Sequence, residues 1–212
     1  NKEIIEAGLD KINISVKGLS DEHFLEFTGA KVNFEKYVEN IKNLYEIKGN
    51  CEIVIKISGD FLTEEKKQFF YDTFGDYCDK IFIERMANCW PEFDAEIHTD
   101  KKISKSDGIY NQKLTKEVQC CPYIFYQMSI NSDGSVSICF LDWQHKNIIG
   151  DVRTQSLKQI WNGLEIFEYQ MMNLSRKRKS HKMCGICNQL KYGMPDNIDP
   201  YLYNLKTKMI YY

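Results

Sequence analysis

The sequence predicts an α/β region followed by a smaller α+β region, and three observations carry that reading. Over residues 1–86, β-branched runs alternate with runs of helical period, the pattern of βα units on a parallel sheet. From Cys120 onward the pattern changes to short strands about an Asp133-Gly134 turn. Four cysteines then stand at C-x12-G-x4-C (Cys121, Gly134, Cys139) and C-x2-C (Cys184, Cys187).

The elements follow in order. Lys2 to Ala7 reads as a short helix stopped by Gly8, since glycine commonly sits just past a helix end. Lys11 to Lys17 alternates Ile12, Ile14 and Val16, which predicts a strand. Phe34, Tyr37, Val38, Ile41, Leu44 and Tyr45 repeat at helical spacing. Cys51 to Ile57 predicts a second strand, Thr63 to Phe74 a helix capped by Thr63, and Lys80 to Met86 a third strand. Residues 98–118 are polar and carry an Asp-Gly turn signal, so they read as a linker between a domain over 1–97 and another over 119–212. Tyr126–Asn131 and Val136–Phe140 predict a hairpin that delivers Cys121 and Cys139 to one end. Ser156 caps a helix to Trp161, Gly163 ends it, and Glu165–Leu174 predicts another helix. Arg176–Lys182 reads as a solvated basic loop.

Bulk properties narrow the class. Among 212 residues, 28 Lys and Arg stand against 30 Asp and Glu, so no global charge favours nucleic acid. No apolar run is long enough to span a bilayer and no signal peptide is visible, so the expectation is a cytoplasmic chain with reduced thiols rather than disulfides. A start at Asn1 and a three-stranded parallel sheet with an open edge suggest a piece of a longer protein, and that edge suggests a homodimer.

Two thiolates on a C-x2-C knuckle and two from a hairpin are soft donors of the kind that zinc and iron–sulfur clusters select. Spacing does not choose between the two. Cys120 competes with Cys121 as the first ligand; Cys121 gives the x12 spacing and precedes Pro122. Cys51, Cys78 and Cys89 read as structural. His181 lies near enough to Cys184 to be considered for zinc, though a surface role is the simpler reading, and Asp142 reads equally as a turn residue or a group near the metal.

Several of these segments also resemble a known family. Cys121-Pro122, Ile130 through Val136, Cys139 with Asp142, Gly150-Asp151, Ser156-Leu157, Ile160-Trp161-Asn162 and the closing C-x2-C resemble the SPASM/twitch module of radical S-adenosylmethionine enzymes. Residues 1–86 are similar to the second half of the same family's partial (β/α)6 barrel, with Ile14 through Gly18 resembling its Ser-containing fourth strand. The family usually has Asp where this chain has Lys17.

The resemblance implies one auxiliary [4Fe-4S] cluster on Cys121, Cys139, Cys184 and Cys187, with no cysteine after Cys187 to bind a second. It implies that Ser15, and less directly Lys56, contact S-adenosylmethionine. The C-x3-C-x2-C motif that holds the family's first cluster does not occur in these residues, so the chain alone is expected to be inactive and no catalytic residue is assigned. The implied activity is radical modification of an unknown substrate, whether peptide, sugar or carrier-bound small molecule, with an electron donor protein as partner. The rival expectation is a zinc-stabilised interaction module without catalysis, and zinc is also a substitute that the cluster site could accept.

Overall fold

The computed structural model describes residues 1–99, 102–114 and 118–211, and they divide into two compact units, Asn1–Met86 and Ala87–Tyr212. In the first unit, a short helix α1 (Lys2–Glu6) is followed by Gly8 at φ 82°, a left-handed conformation that glycine adopts without strain. Strand β1 (Lys11–Val16) leads to helix α2 (Asp21–Thr28) and helix α3 (Phe34–Ile47). Strand β2 (Glu52–Ser58), helix α4 (Glu64–Phe74) and strand β3 (Lys80–Glu84) complete the unit. The sheet order is β1-β2-β3, all parallel, with Ser15 beside Lys56 and Lys56 beside Phe82.

One sheet face carries the core. Val16, Ile53, Ile55 and Ile57 pack with Phe24 of α2, Ile41 and Leu44 of α3, and Phe70 and Phe74 of α4. Asn33 and Thr63 accept hydrogen bonds from the amides of Lys36 and Lys66, which fixes where α3 and α4 begin. Helix α2 was not foreseen as a separate element. Its signals are nevertheless local: Ser20 accepts from the His23 amide, and Gly29 ends the helix at φ 71°.

The second unit holds helix α5 (Ala95–Thr99) and then residues 102–114, part of the stretch read as a linker. These are tied down by hydrogen bonds: the Ile109 amide donates to the Tyr192 carbonyl at 2.8 Å, and Gln112 Nε2 donates to the carbonyls of Tyr192 and Gly193, each at 3.0 Å. Residues 100–101 and 115–117, the rest of that stretch, lie outside the described residues.

Strands β4 (Ser129–Ile130), β5 (Ser135–Ser137) and β6 (Ile148–Asp151) form an antiparallel sheet in that order. The first two are shorter than the sequence pattern implied. Tyr123–Phe125 is a 3-10 turn instead of the approach to a strand, and the chain leaves β5 after Ser137 to place Cys139 in a loop. Gly134 makes the turn at φ 89°. Strand β6 was not foreseen, because Ile148-Ile149-Gly150-Asp151 is short and contains a glycine.

Helices α6 (Leu157–Trp161), α7 (Leu164–Leu174), α8 (Lys182–Ile186), α9 (Gln189–Tyr192) and α10 (Leu202–Tyr211) follow. Ile124, Val136, Ile138, Ile149, Ile160 and Ile166 form the core that joins the small sheet to α6 and α7. Gly150 lets β6 lie against α6: a Cβ there would sit 2.7 Å from Ile160 Cγ1 and 2.9 Å from Gln155 Oε1. Ile160 is itself buried and cannot retreat. Among the described residues no helix is long and apolar enough to cross a membrane.

The Gly150→Ala variant is therefore expected to lose about 1–3 kcal/mol of stability through overpacking. Urea unfolding followed by Trp fluorescence checks this, and an unchanged midpoint would show that α6 can shift away from β6.

Candidate metal centre

Four thiols meet in one chamber of the second unit. Cys121, Cys139, Cys184 and Cys187 line one cavity, with room for little more than about 30 Å³, whose other walls are largely apolar, including Ile124, Ile138, Leu141, Met183 and Leu190. Each cysteine arrives by a different local device. Cys121 directly precedes the 3-10 turn Tyr123–Phe125, and the amides of Tyr123 and Ile124 favour its ionised form. Cys139 lies in the loop after β5, and the Leu141 amide donates to its Sγ at 3.5 Å. Cys184 sits within α8 and Cys187 at its C-cap, so the knuckle is one turn of helix.

The sequence expectation that two strands deliver Cys121 and Cys139 is corrected for both: Cys139 lies beyond the end of β5. Cys121 is not on a strand; it is fixed from α7, where Asn173 Oδ1 accepts its amide at 3.1 Å. Asn173 is 1% exposed and donates through Nδ2 to the Tyr169 carbonyl at 3.0 Å, so its orientation is locked. Cys120 points elsewhere, into a cluster with Leu174 and Leu202. The backbone before Cys121 is held by Asp199, whose two carboxylate oxygens accept the amides of Gln119 and Cys120, each at 2.8 Å.

The basic segment is not wholly solvated, which corrects the reading of Arg176–Lys182. Arg178 is 4% exposed, lines the chamber, and donates through one guanidinium nitrogen to the carbonyl of Cys184 and, at 3.4 Å, to that of Cys187. Its positive charge lowers the pKa of Cys121 and Cys184 against the larger opposing effect of burial. His181 is half-buried rather than a surface residue: its Nδ1 accepts the Cys184 amide at 3.2 Å as the cap of α8, and its ring meets the edge of Tyr169. Asp142 serves the turn, accepting the amides of Lys146 at 3.1 Å and Asn147 at 2.7 Å.

Burial pushes the Cys139 and Cys184 thiols up to about 12 and raises that of Cys121 as well. Neighbouring thiols add to this, because a second or third thiolate in the same chamber repels the first. Among the described residues no three His, Cys, Asp or Glu side chains are gathered tightly enough for a single metal ion. A zinc with bonds of about 2.3 Å requires sulfurs within about 4 Å of each other. A four-iron cluster instead takes one thiolate at each of its four irons.

Ser15 and Lys56 lie in the first unit. They are register neighbours on the sheet face turned away from the packed helices; Ser15 is exposed, and Lys56 pairs with Glu84 at 2.9 Å. Near the carboxyl ends of β1 and β2, a small cavity is lined by Lys17, His23, Ser58 and Phe61. His23, whose Nδ1 accepts the Leu19 amide at 3.2 Å, was not singled out from sequence, and neither was Asn173 or Asp199. Only contacts distant in the chain reveal the last two.

Comparison with known proteins finds a family match within this unit. Residues 120–189 match the family model of the SPASM iron–sulfur cluster-binding domain. A curated relative from Niallia circulans, an S-adenosyl-L-methionine-dependent 2-deoxy-scyllo-inosamine dehydrogenase, is 23% identical over 82% of this chain and 79% of its own length. Two solved structures share the fold at a TM-score of 0.50. The first, anSMEcpe with bound AdoMet, is 13% identical over 99% of this chain and 66% of its own. The second, anSMEcpe with bound AdoMet and the Kp18Cys peptide, is 14% identical over 99% of this chain and 69% of its own. Residues 120–189 thus match an iron–sulfur cluster-binding domain of the SPASM type, and the chain shares the fold of the two anSMEcpe structures.

Two outcomes follow for this centre. Asn173→Leu leaves the buried Cys121 amide without its acceptor and is expected to cost about 1–3 kcal/mol, read by urea unfolding. In metal-free protein, the thiols ionise in the unfolded chain near 9 but in the folded chain, at Cys139 and Cys184, only near 12. Their contribution to stability is therefore complete below pH 9 and lost as pH rises from 9 toward 12, at about 1.4 kcal/mol per pH unit for each thiol. Unfolding midpoints measured from pH 8 to 11 should fall steadily, and a flat profile would contradict the buried, protonated state.

Proposed function

We propose that the chain holds one auxiliary [4Fe-4S] cluster on Cys121, Cys139, Cys184 and Cys187 and contributes it to an S-adenosylmethionine-dependent radical oxidation. The observation that carries this reading is the single apolar chamber that all four thiols line. The donor set fits the group. There are four soft thiols, amides of Tyr123, Ile124 and Leu141 directed at two of them, and a buried guanidinium that offsets negative charge.

When bound, the cluster supplies one-electron exchange. The residues of the chain do the rest. Four protein ligands leave no iron open to substrate, which favours electron relay or a structural role over substrate ligation. Asn173 and Asp199 hold Cys121 in place, Arg178 ties both ends of the knuckle, and the isoleucines and leucines keep water away from the thiolates.

The first unit is read as the second half of a partial (β/α)6 barrel. Its helices cover one sheet face, and Ser15 and Lys56 stand together on the other, the side that faces inward in a barrel. In this reading Ser15 donates its hydroxyl to the amino-acid moiety of S-adenosylmethionine. The dehydrogenase relative makes oxidation of a C–H bond in a small polyhydroxylated substrate the preferred reaction class, ahead of peptides and carrier-bound precursors.

Iron, sulfide and zinc analysis of protein prepared without oxygen tests the centre. About four irons and four sulfides per chain are expected. Serine at Cys121, Cys139, Cys184 or Cys187 should remove most of them, while Cys120→Ser and Cys89→Ser should keep them. One zinc without sulfide would replace this reading with a structural zinc module. A second expectation concerns Arg178. Arg178→Gln removes a buried positive charge beside the cluster and should lower its midpoint potential, with at least a tenfold change in the oxidised-to-reduced ratio at fixed poise, or about 59 mV. An unchanged potential would limit Arg178 to tying the knuckle.

A further inference from the structure

The second unit contains a second, larger cavity that the thiols do not occupy. Its volume is about 630 Å³, and its walls are the loop 141–147 that follows Cys139, the segment 180–183 that enters α8, and Pro91 with Glu92. That is the size of a small-molecule site rather than of a packing defect. Among the described residues no cysteine lines it, yet Pro91, Leu141 and Met183 also line the thiol chamber, so the two cavities are neighbours.

Polar contacts fix the walls. Asp142, 5% exposed, accepts the amides of Lys146 and Asn147 and, at 3.2 Å, Asn147 Nδ2, which shapes the loop. Trp143 donates through Nε1 to the Pro91 carbonyl at 3.1 Å and meets the Phe93 ring edge to face. Lys146 pairs with Glu92 at 2.7 Å, a second tie between the loop and the Pro91 wall. Glu92 (φ 61°) and His145 (φ 52°), one on each of these walls, hold left-handed backbone that residues other than glycine seldom adopt. Such conformations persist where surrounding contacts enforce them, and they concentrate at ligand sites.

These contacts leave a defined set of groups unused. Trp143 remains 48% exposed although its ring is held in place. Gln144 and Lys182 are exposed, and among the described residues their side chains make no hydrogen bond or ion pair. His181 Nδ1 accepts the Cys184 amide, so its ring hydrogen is on Nε2, which has no partner among the described residues. Both lining carboxylates are already answered, Asp142 by N–H groups and Glu92 by Lys146, which leaves Lys182 as the uncompensated charge.

We propose that this cavity binds a nucleoside phosphate, with its base on Trp143, its phosphate on Lys182, and the Gln144 amide and His181 Nε2–H as further polar contacts. A rigid indole stacks any base, an ammonium takes a phosphate as a point charge, and a glutamine amide offers the donor and acceptor that a base edge requires. An uncharged sugar would leave Lys182 unanswered, and a simple anion would leave the indole bare. The proposal does not depend on the cluster reading, because no thiol contributes to the cavity.

Calorimetry on the full chain, prepared without oxygen, tests this with uridine 5′-monophosphate as the probe. An adenine nucleotide would compete for the S-adenosylmethionine site proposed above, and the pyrimidine avoids that. Uridine and ribose 5-phosphate separate the two halves of the ligand, and each is expected to bind about tenfold or more weakly than the nucleotide. Trp143→Ala and Lys182→Gln should each weaken the nucleotide by about tenfold, while Trp143→Phe keeps most of the affinity. Salt should weaken wild-type binding and have little effect on Lys182→Gln. Lys158→Gln, an exposed change on α6, serves as the control and should bind normally. Because the Lys182 side chain makes no bond within the protein, Lys182→Gln reads the site even where Trp143→Ala unfolds the chain. No binding of the nucleotide, or binding unchanged by Lys182→Gln and Trp143→Ala, overturns the proposal. Ribose 5-phosphate binding as tightly as the nucleotide also overturns it, in favour of a simple anion site.

Discussion

The constraint on which the second unit depends is the burial of four thiols together. Sulfurs brought from around residues 121, 139 and 184–187 into an apolar chamber cannot all ionise there without a positive partner, because each thiolate is desolvated and repels the others. Thiols so placed are either protonated or ligated. The chamber is thus costly to leave empty at high pH, and in the proposed reading the positive charge of iron would offset that cost. Metal binding and folding of this unit are coupled by the same electrostatics.

Around that constraint the polar groups are arranged with little redundancy. Asn173 and Asp199 each satisfy backbone amides that flank Cys121, and each comes from a helix or turn far along the chain. Arg178 and His181 do the same for the knuckle, one through carbonyls and the other through the Cys184 amide. Buried polar groups are costly unless satisfied, so Asn173 and Arg178, both buried, specify the geometry more sharply than the apolar walls do. The isoleucine core beneath, anchored where Gly150 lets β6 touch α6, supplies bulk stability but little direction.

The first unit follows simpler rules. Its parallel strands are almost uniformly apolar on the helix side, and the residues that differ, Ser15 and Lys56, stand opposite. The strands and helices of this unit follow local propensity with few departures.

Much of this was legible in the residues. The strands at Lys11–Val16, Glu52–Ser58 and Lys80–Glu84 and the helices between them follow from alternation and caps, because each signal is confined to a few neighbours. The cysteine spacing identified which thiols to consider, and the resemblance to SPASM modules identified the chemistry; the family match over residues 120–189 agrees. Short elements escaped: α2, α5, α8, α9, α10 and β6 are too brief or too weakly periodic to stand out. The x12 spacing and Pro122 favoured Cys121 over Cys120, and the tertiary structure shows why: Cys121 enters the chamber while Cys120 packs into the Leu174 cluster. Tertiary structure alone turned Arg178 inward among exposed lysines, because a side chain's burial depends on what the distant chain packs against it.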